Sequence, residues 1–212
     1  MIKNMILVMS ILFTSLSVRA NVVENLSADD ALAKLKKGNS HFVEAKMEHP
    51  HENKEWIEMI AKGQHPFVAI LSCSDSRVSP EVIFDQGMGD IFEIRNAGNV
   101  LDEHVVGSIE YAVYHLGVKL VVIMGHQDCG VIHAALSGQK ESKYIESLKN
   151  SVIPIIVKYD TDDVNELAKI LVKEDIKELL EDDSNLKDFI IENDVKIIPA
   201  YYHVDSGIVD WL

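Results

Sequence analysis

The chain is 212 residues long and 47% hydrophobic by residue type, enough for one globular domain with a substantial core. Its 34 acidic side chains against 20 lysines and arginines give a formal charge of −14. That balance disfavours a nucleic-acid binder, which would present a basic face, and serves solubility instead.

Residues 1–20 read as a secretory signal peptide. Lys3 gives a basic start, Met5 to Val18 is apolar apart from Ser and Thr, and Val18-Arg19-Ala20 suits cleavage after Ala20. The run is short for a membrane span of about 20 residues, which argues against an uncleaved anchor. The expectation is an exported, periplasmic protein with no stable membrane association after cleavage.

Residues 21–65 are expected to form a helical arm. Ser27 with Asp30 three residues later marks a helix start, and Ala31, Leu35, Phe42 and Val43 continue an apolar side to about Lys46. A second helical stretch follows Pro50 and carries Trp56, Ile57, Met59 and Ile60. His65-Pro66 closes the arm, and residues 66–212 make an α/β core that forms one domain with it. Phe67 to Leu71 reads as a strand. Ser79-Pro80-Glu81 opens a short helix with Pro in its first turn. Gly87 to Asp90 is a turn, Ile91 to Ile94 a strand, and Arg95 to Asn99 a loop. Val105 to Leu116 reads as a helix stopped by Gly117, and Leu120 to Met124 as a central strand too apolar for an exposed face.

Helical patterns resume from Val131 to about Leu136 and from Glu141 to Lys158, the second broken near Pro154. Between Asp160 and Asp194 thirteen acids face four lysines, yet Val164, Leu167, Ile170, Leu171, Ile176, Leu179 and Leu180 keep helical spacing. Amphipathic helices with solvated acidic faces are expected there. Val195 to Tyr202 reads as the last strand and Asp205-Ser206-Gly207 as a turn. Strands alternating with helices predict an α/β fold with a mainly parallel sheet.

The chemistry gathers at two strand ends. Cys73-Ser74-Asp75-Ser76-Arg77-Val78 follows the first strand, and His126-Gln127-Asp128-Cys129-Gly130 follows the central one. In open parallel sheets, ligands bind beyond the strands' carboxyl ends. Cys73, His126 and Cys129 offer two thiolates and an imidazole, the soft donors that zinc favours. Three protein ligands leave one position open, as a catalytic site requires. In an exported chain these two cysteines, the only ones present, are also candidates for a structural disulfide. A disulfide has no need of His three residues before one Cys, nor of Asp and Arg just after the other, so zinc is the preferred reading. Gly125, Gly130 and Gly98 are read either as sites of close backbone approach or positive φ, or as ordinary turn glycines.

The two motifs in this order, about fifty residues apart, resemble those of the β-class carbonic anhydrases of exported, bacterial type. Ile91 to Asn99 and Ser108-Ile109-Glu110-Tyr111-Ala112 are similar to that family too, and the likeness runs from about Ala31 to the last residue. The resemblance implies a four- to five-stranded core flanked by helices and an N-terminal arm that embraces a partner subunit. It further implies a homodimer or homotetramer and one Zn²⁺ per subunit. The implied reaction is reversible hydration of carbon dioxide to bicarbonate and a proton, by attack of zinc-bound hydroxide. The family's Asp–Arg pair matches Asp75 and Arg77. Asp75 would accept a hydrogen bond from the hydroxide, and Arg77 would hold Asp75 bidentately and keep it ionised.

In a closed state of that family the aspartate, here Asp75, becomes a fourth zinc ligand. One subgroup couples closure to a bicarbonate pocket that uses Trp three residues before the first Cys. Ile70 stands there, so no such pocket and an open site at mildly alkaline pH are expected. His104, His115 and His133 are the proton carriers considered, with none preferred. Two competing readings use the same residues. One is a carbon disulfide or carbonyl sulfide hydrolase on this scaffold; the other is a non-catalytic exported zinc-binding domain.

Overall fold

The computed structural model describes residues 26–182 and 184–212. The expected signal peptide lies outside the described residues. No helix among those described is long and apolar enough to cross a membrane.

Helix α1 (Ala28–Val43) begins where the capping pattern placed it: Ser27 Oγ accepts the Asp30 N–H at 3.1 Å and donates to its carboxylate at 2.6 Å. Ala31 and Leu35 are fully buried on its inner side. Gly38 faces the end of α3 (Pro80–Ile83); a Cβ there would overlap the Phe84 carbonyl oxygen, so only glycine permits this approach. Buried Asn39 donates to the carbonyls of Ile83 at 3.2 Å and Gly207 at 2.8 Å, and accepts the Val209 N–H at 3.0 Å. Those three bonds tie α1 to the core. Helix α2 (Lys54–Ile60) has no buried residue. Trp56 tethers it by donating Nε1–H to the Met88 carbonyl at 2.7 Å and by stacking on His51.

The sheet comprises β1 (Val68–Cys73), β2 (Ile91–Asn96), β3 (Leu120–His126), β4 (Lys196–Tyr202) and β5 (Val209–Trp211), in the order β2-β1-β3-β4-β5. The first four are parallel and β5 runs antiparallel to β4, so the expected mainly parallel α/β fold is what forms. Every residue of β1 and β3 is buried, because both faces of the sheet are covered. On one face Val68, Ile70, Val122 and Met124 pack with Leu35 of α1 and Ile83 of α3. On the other, Ala69, Leu71, Val121 and Ile123 meet α4 (Glu103–Glu110), α7 (Val164–Asp182) and α8 (Ser184–Glu192). Beyond the strands' carboxyl ends, α5 (Gly130–Ser137) and α6 (Lys143–Tyr159) close the third cluster around Cys73, Cys129 and Tyr201.

Three expectations need correction. β5 follows the strand that was read as the last; at three residues it is too short to show alternation. Pro154 does not break α6. Asn150, whose carbonyl loses its donor to the proline, is an exposed residue. The helix expected to Leu116 changes at Tyr111–His115 into a π turn before Gly117 stops it with φ +70°.

Candidate metal centre

Cys73 ends β1, His126 ends β3, and Cys129 immediately precedes α5. Strands β1 and β3 are neighbours with Ser72 opposite Met124, so their last residues emerge side by side at one edge of the sheet. Gln127 and Asp128 turn the chain back toward the same point. Asp128 does so at φ +60°, a conformation Asp tolerates better than most residues. One ligand atom from each of Cys73, His126 and Cys129 lies within 4.8 Å of the others, and all three residues are buried. This is the one such cluster among the described residues, and it does not take in Asp75.

The donors fit a soft divalent metal. His126 Nδ1 sits 2.9 Å from the Gln127 carbonyl oxygen, and Nε2 is buried with no hydrogen-bond partner. An imidazole whose Nδ1–H is donated to a carbonyl presents an unprotonated Nε2, as metal-binding histidines do. The sulfurs are free thiols. The hydrogen bond from Cys129 pulls the Cys73 pKa down, helped by His126 and by the N–H groups of Gly98 at 3.2 Å and Asp75 at 3.4 Å. The same contact and burial push Cys129 up. The contact thus favours ionisation of Cys73 over Cys129, and a bound dication would favour ionisation of both.

Of the three glycines singled out, Gly98 has φ +81° and packs so closely that a Cβ would lie 2.9 Å from Val131. Gly125 admits the Ala168 carbonyl of α7, 3.0 Å from where a Cβ would stand. Gly130 meets nothing and is simply the first residue of α5.

Arg77 grips Asp75 at both oxygens: Nε donates to Oδ1 at 3.0 Å and Nη2 to Oδ2 at 2.8 Å, while the Arg77 backbone N–H adds a third bond at 2.9 Å. The guanidinium holds the Asp75 pKa down at about 2. Its own is raised by the same contact. Arg77 also donates to the Asp128 carbonyl at 3.3 Å, so it spans the two loops that carry the cysteines. His133 reaches the other side of Asp128, Nε2 to Oδ1, at 2.6 Å. His104 and His115 are exposed on α4 and the π turn.

The sequence reading missed the support of the first cysteine loop. Arg95, taken for a loop residue, is in β2 opposite Ser72, and its guanidinium lies against the first ligand loop. Nε and Nη2 donate to the Cys73 carbonyl at 3.2 and 3.1 Å, and Nη2 also reaches the carbonyls of Asp75 at 3.1 Å and Val78 at 2.5 Å. The signs in the sequence were an arginine directly after the Ile91–Ile94 strand and the family likeness of the stretch Ile91 to Asn99 that contains it.

A parallel sheet with a buried Cys–His–Cys cluster at its strand ends defines an α/β protein whose cluster could hold a metal ion. A family model described as carbonic anhydrase matches residues 68–209. Carbonic anhydrase 2 of Mycobacterium tuberculosis is 37% identical over 180 residues, covering 82% of this chain and 87% of that protein. Among solved structures, the β-carbonic anhydrase CafA of Aspergillus fumigatus superposes with a TM-score of 0.70 at 33% identity, covering 87% of this chain and 89% of CafA. One of two tetrameric β-carbonic anhydrases from Sordaria macrospora gives 0.70 at 25%, covering 86% and 97%. The chain belongs to the carbonic anhydrase family, in its β class, and is an enzyme of that family.

Proposed function

We propose that the chain is a zinc-dependent carbonic anhydrase that interconverts carbon dioxide and bicarbonate. The observation that carries this is the buried Cys73–His126–Cys129 cluster with the Asp75–Arg77 pair just beyond its first ligand. The two Sγ atoms and the unpartnered Nε2 of His126 are the donors for one Zn²⁺ per subunit. Zinc held there supplies Lewis acidity enough to ionise water near neutral pH.

Asp75, kept ionised by Arg77, offers a carboxylate oxygen that accepts a hydrogen bond from the attacking water and orients it. Arg77 engages both oxygens of Asp75 and so holds that carboxylate apart from the three residues that would hold the ion. Arg95 keeps the Cys73–Val78 loop in place by bonding three of its carbonyls.

The reading extends to assembly and location. The Sordaria macrospora relatives are tetrameric. Here α2 buries none of its residues and leaves Ile57 and Met59 exposed, which supports a homodimer or homotetramer in which the arm packs on a second copy. Light scattering on the eluting protein measures that mass. Residues 1–20 support export, for which the expected mature chain starts at Asn21.

The central test is stopped-flow carbon dioxide hydration with zinc content measured on the same samples. Cys73→Ser is expected to lose both zinc and activity. Asp75→Ala is expected to keep zinc and lose activity about 10²-fold or more. Full activity in a zinc-free preparation, or an unimpaired Asp75→Ala enzyme, overturns the assignment.

A further inference from the structure

We propose that Asn165, in the first turn of α7, is a positioning residue for the metal ligand His126. It acts through the peptide that joins Gln127 to Asp128. The proposal rests on the zinc reading of the cluster.

The carbonyl of that peptide is the 2.9 Å partner of His126 Nδ1. Its N–H, belonging to Asp128, donates to Asn165 Oδ1 at 2.9 Å. A peptide is planar, so fixing its N–H direction fixes its carbonyl direction too. The carbonyl in turn sets the tautomer and the ring orientation of His126. Asn165 therefore aims Nε2 from two bonds away. Its own place is set by the start of α7, where Asp163 Oδ1 accepts the Asn165 N–H at 2.8 Å and the Glu166 N–H at 3.0 Å.

The braced residue sits at a turn in the left-handed region. Asp128 is held at φ +60°, off the preferred backbone basins of an L-residue. A second clamp acts one residue earlier. Gln127 Nε2 donates to Asp205 Oδ2 at 3.2 Å, and its Oε1 accepts the Asp205 N–H at 3.1 Å. The Gln127 N–H meanwhile bonds the Tyr202 carbonyl at 2.9 Å. The β4–β5 turn holding Asp205 is anchored to α1 through Asn39 and Gly207. The plane that orients His126 is thus held from α7 on one side and from the β4–β5 turn on the other.

The test measures zinc affinity by competition with a chromophoric chelator, alongside the melting temperature of the zinc-free protein and the absorption spectrum of the cobalt-substituted form. Asn165→Ala and Gln127→Leu are each expected to weaken zinc binding about 10-fold or more and to shift the cobalt bands, with the zinc-free melting temperature unchanged. Asn165→Asp, which keeps an acceptor oxygen, is expected to bind zinc like the wild type. The proposal is overturned if Asn165→Ala stays within about twofold of wild-type affinity, or if Asn165→Asp is as weak as Asn165→Ala. An affinity loss matched by a fall in zinc-free stability overturns it as well, because the role is then only structural. A wild-type protein that binds no zinc is a different result, and it removes the zinc reading itself.

Discussion

At the scale of single residues, the site turns on how tightly Arg77 owns Asp75. Two guanidinium bonds and a backbone N–H all stabilise the ionised carboxylate. A depressed pKa means the contact's stabilisation is complete above the unfolded value of 3.8 and is lost only as pH falls through about 2. The pair is therefore intact throughout the neutral and alkaline range. Arg77→Ala is expected to return the Asp75 pKa toward the ordinary carboxylate value, read by carboxyl NMR titration of the zinc-free protein. It should also lower turnover at least about tenfold, since the carboxylate is then free to wander. An unchanged titration would show that Arg77 is not what holds Asp75. Cys73, His126, Cys129, Asp75 and Arg77 were all legible in the sequence, because each lies within a few residues of a strand end and carries chemistry that local packing does not need. Arg95 and Asn165 were not. Their roles depend on strand register and on where a helix three elements later begins, neither of which leaves a local pattern.

At the scale of elements, α7 shows both the strength and the limit of periodicity. Of the seven residues with helical spacing, Leu167, Leu171 and Leu179 are buried and the other four half-buried, while Val172, outside that set, completes the buried stripe. The expectation of solvated acidic faces fails at Asp175, which falls on that stripe, is only 6% exposed and leaves Oδ2 without a hydrogen bond. Burial, then the charges of Glu178 and Glu174, push its pKa up to about 8. The folded state consequently binds a proton that the unfolded chain has released between about pH 4 and pH 8, and stability falls as pH rises through that window. Asp175→Asn removes the penalty. Urea unfolding across pH should find the variant more stable by about 2 kcal/mol or more at pH 9, with the gap closing toward pH 5. A gap independent of pH would place Asp175 in water or beside a cation. The short β5 and the proline within α6 were missed for a related reason: each is decided by what lies around it.

At the scale of the whole molecule, the α/β class was readable from strands alternating with helices, whereas the order β2-β1-β3-β4-β5 depends on crossovers that no local signal encodes. The three residues that could hold a metal come from the ends of two neighbouring strands and the start of α5, so an ion bound there would tie together parts far apart in sequence. Ligand binding to the folded state alone adds about 2.7 kcal/mol when the free ion is at a hundred times its dissociation constant. Chelation is accordingly expected to lower the melting temperature by roughly 5 °C or more, recoverable with zinc, in scanning fluorimetry. Equal melting curves with and without chelator would contradict a resident ion. The register has one more consequence. His126 pairs with Tyr202, so the strand bearing the imidazole is enclosed only once β4 has joined it. During synthesis the first thiol leaves the ribosome well over a hundred residues before that strand does. The enclosure of the proposed zinc site is thus the work of a strand that exists only when nearly the whole chain has been made.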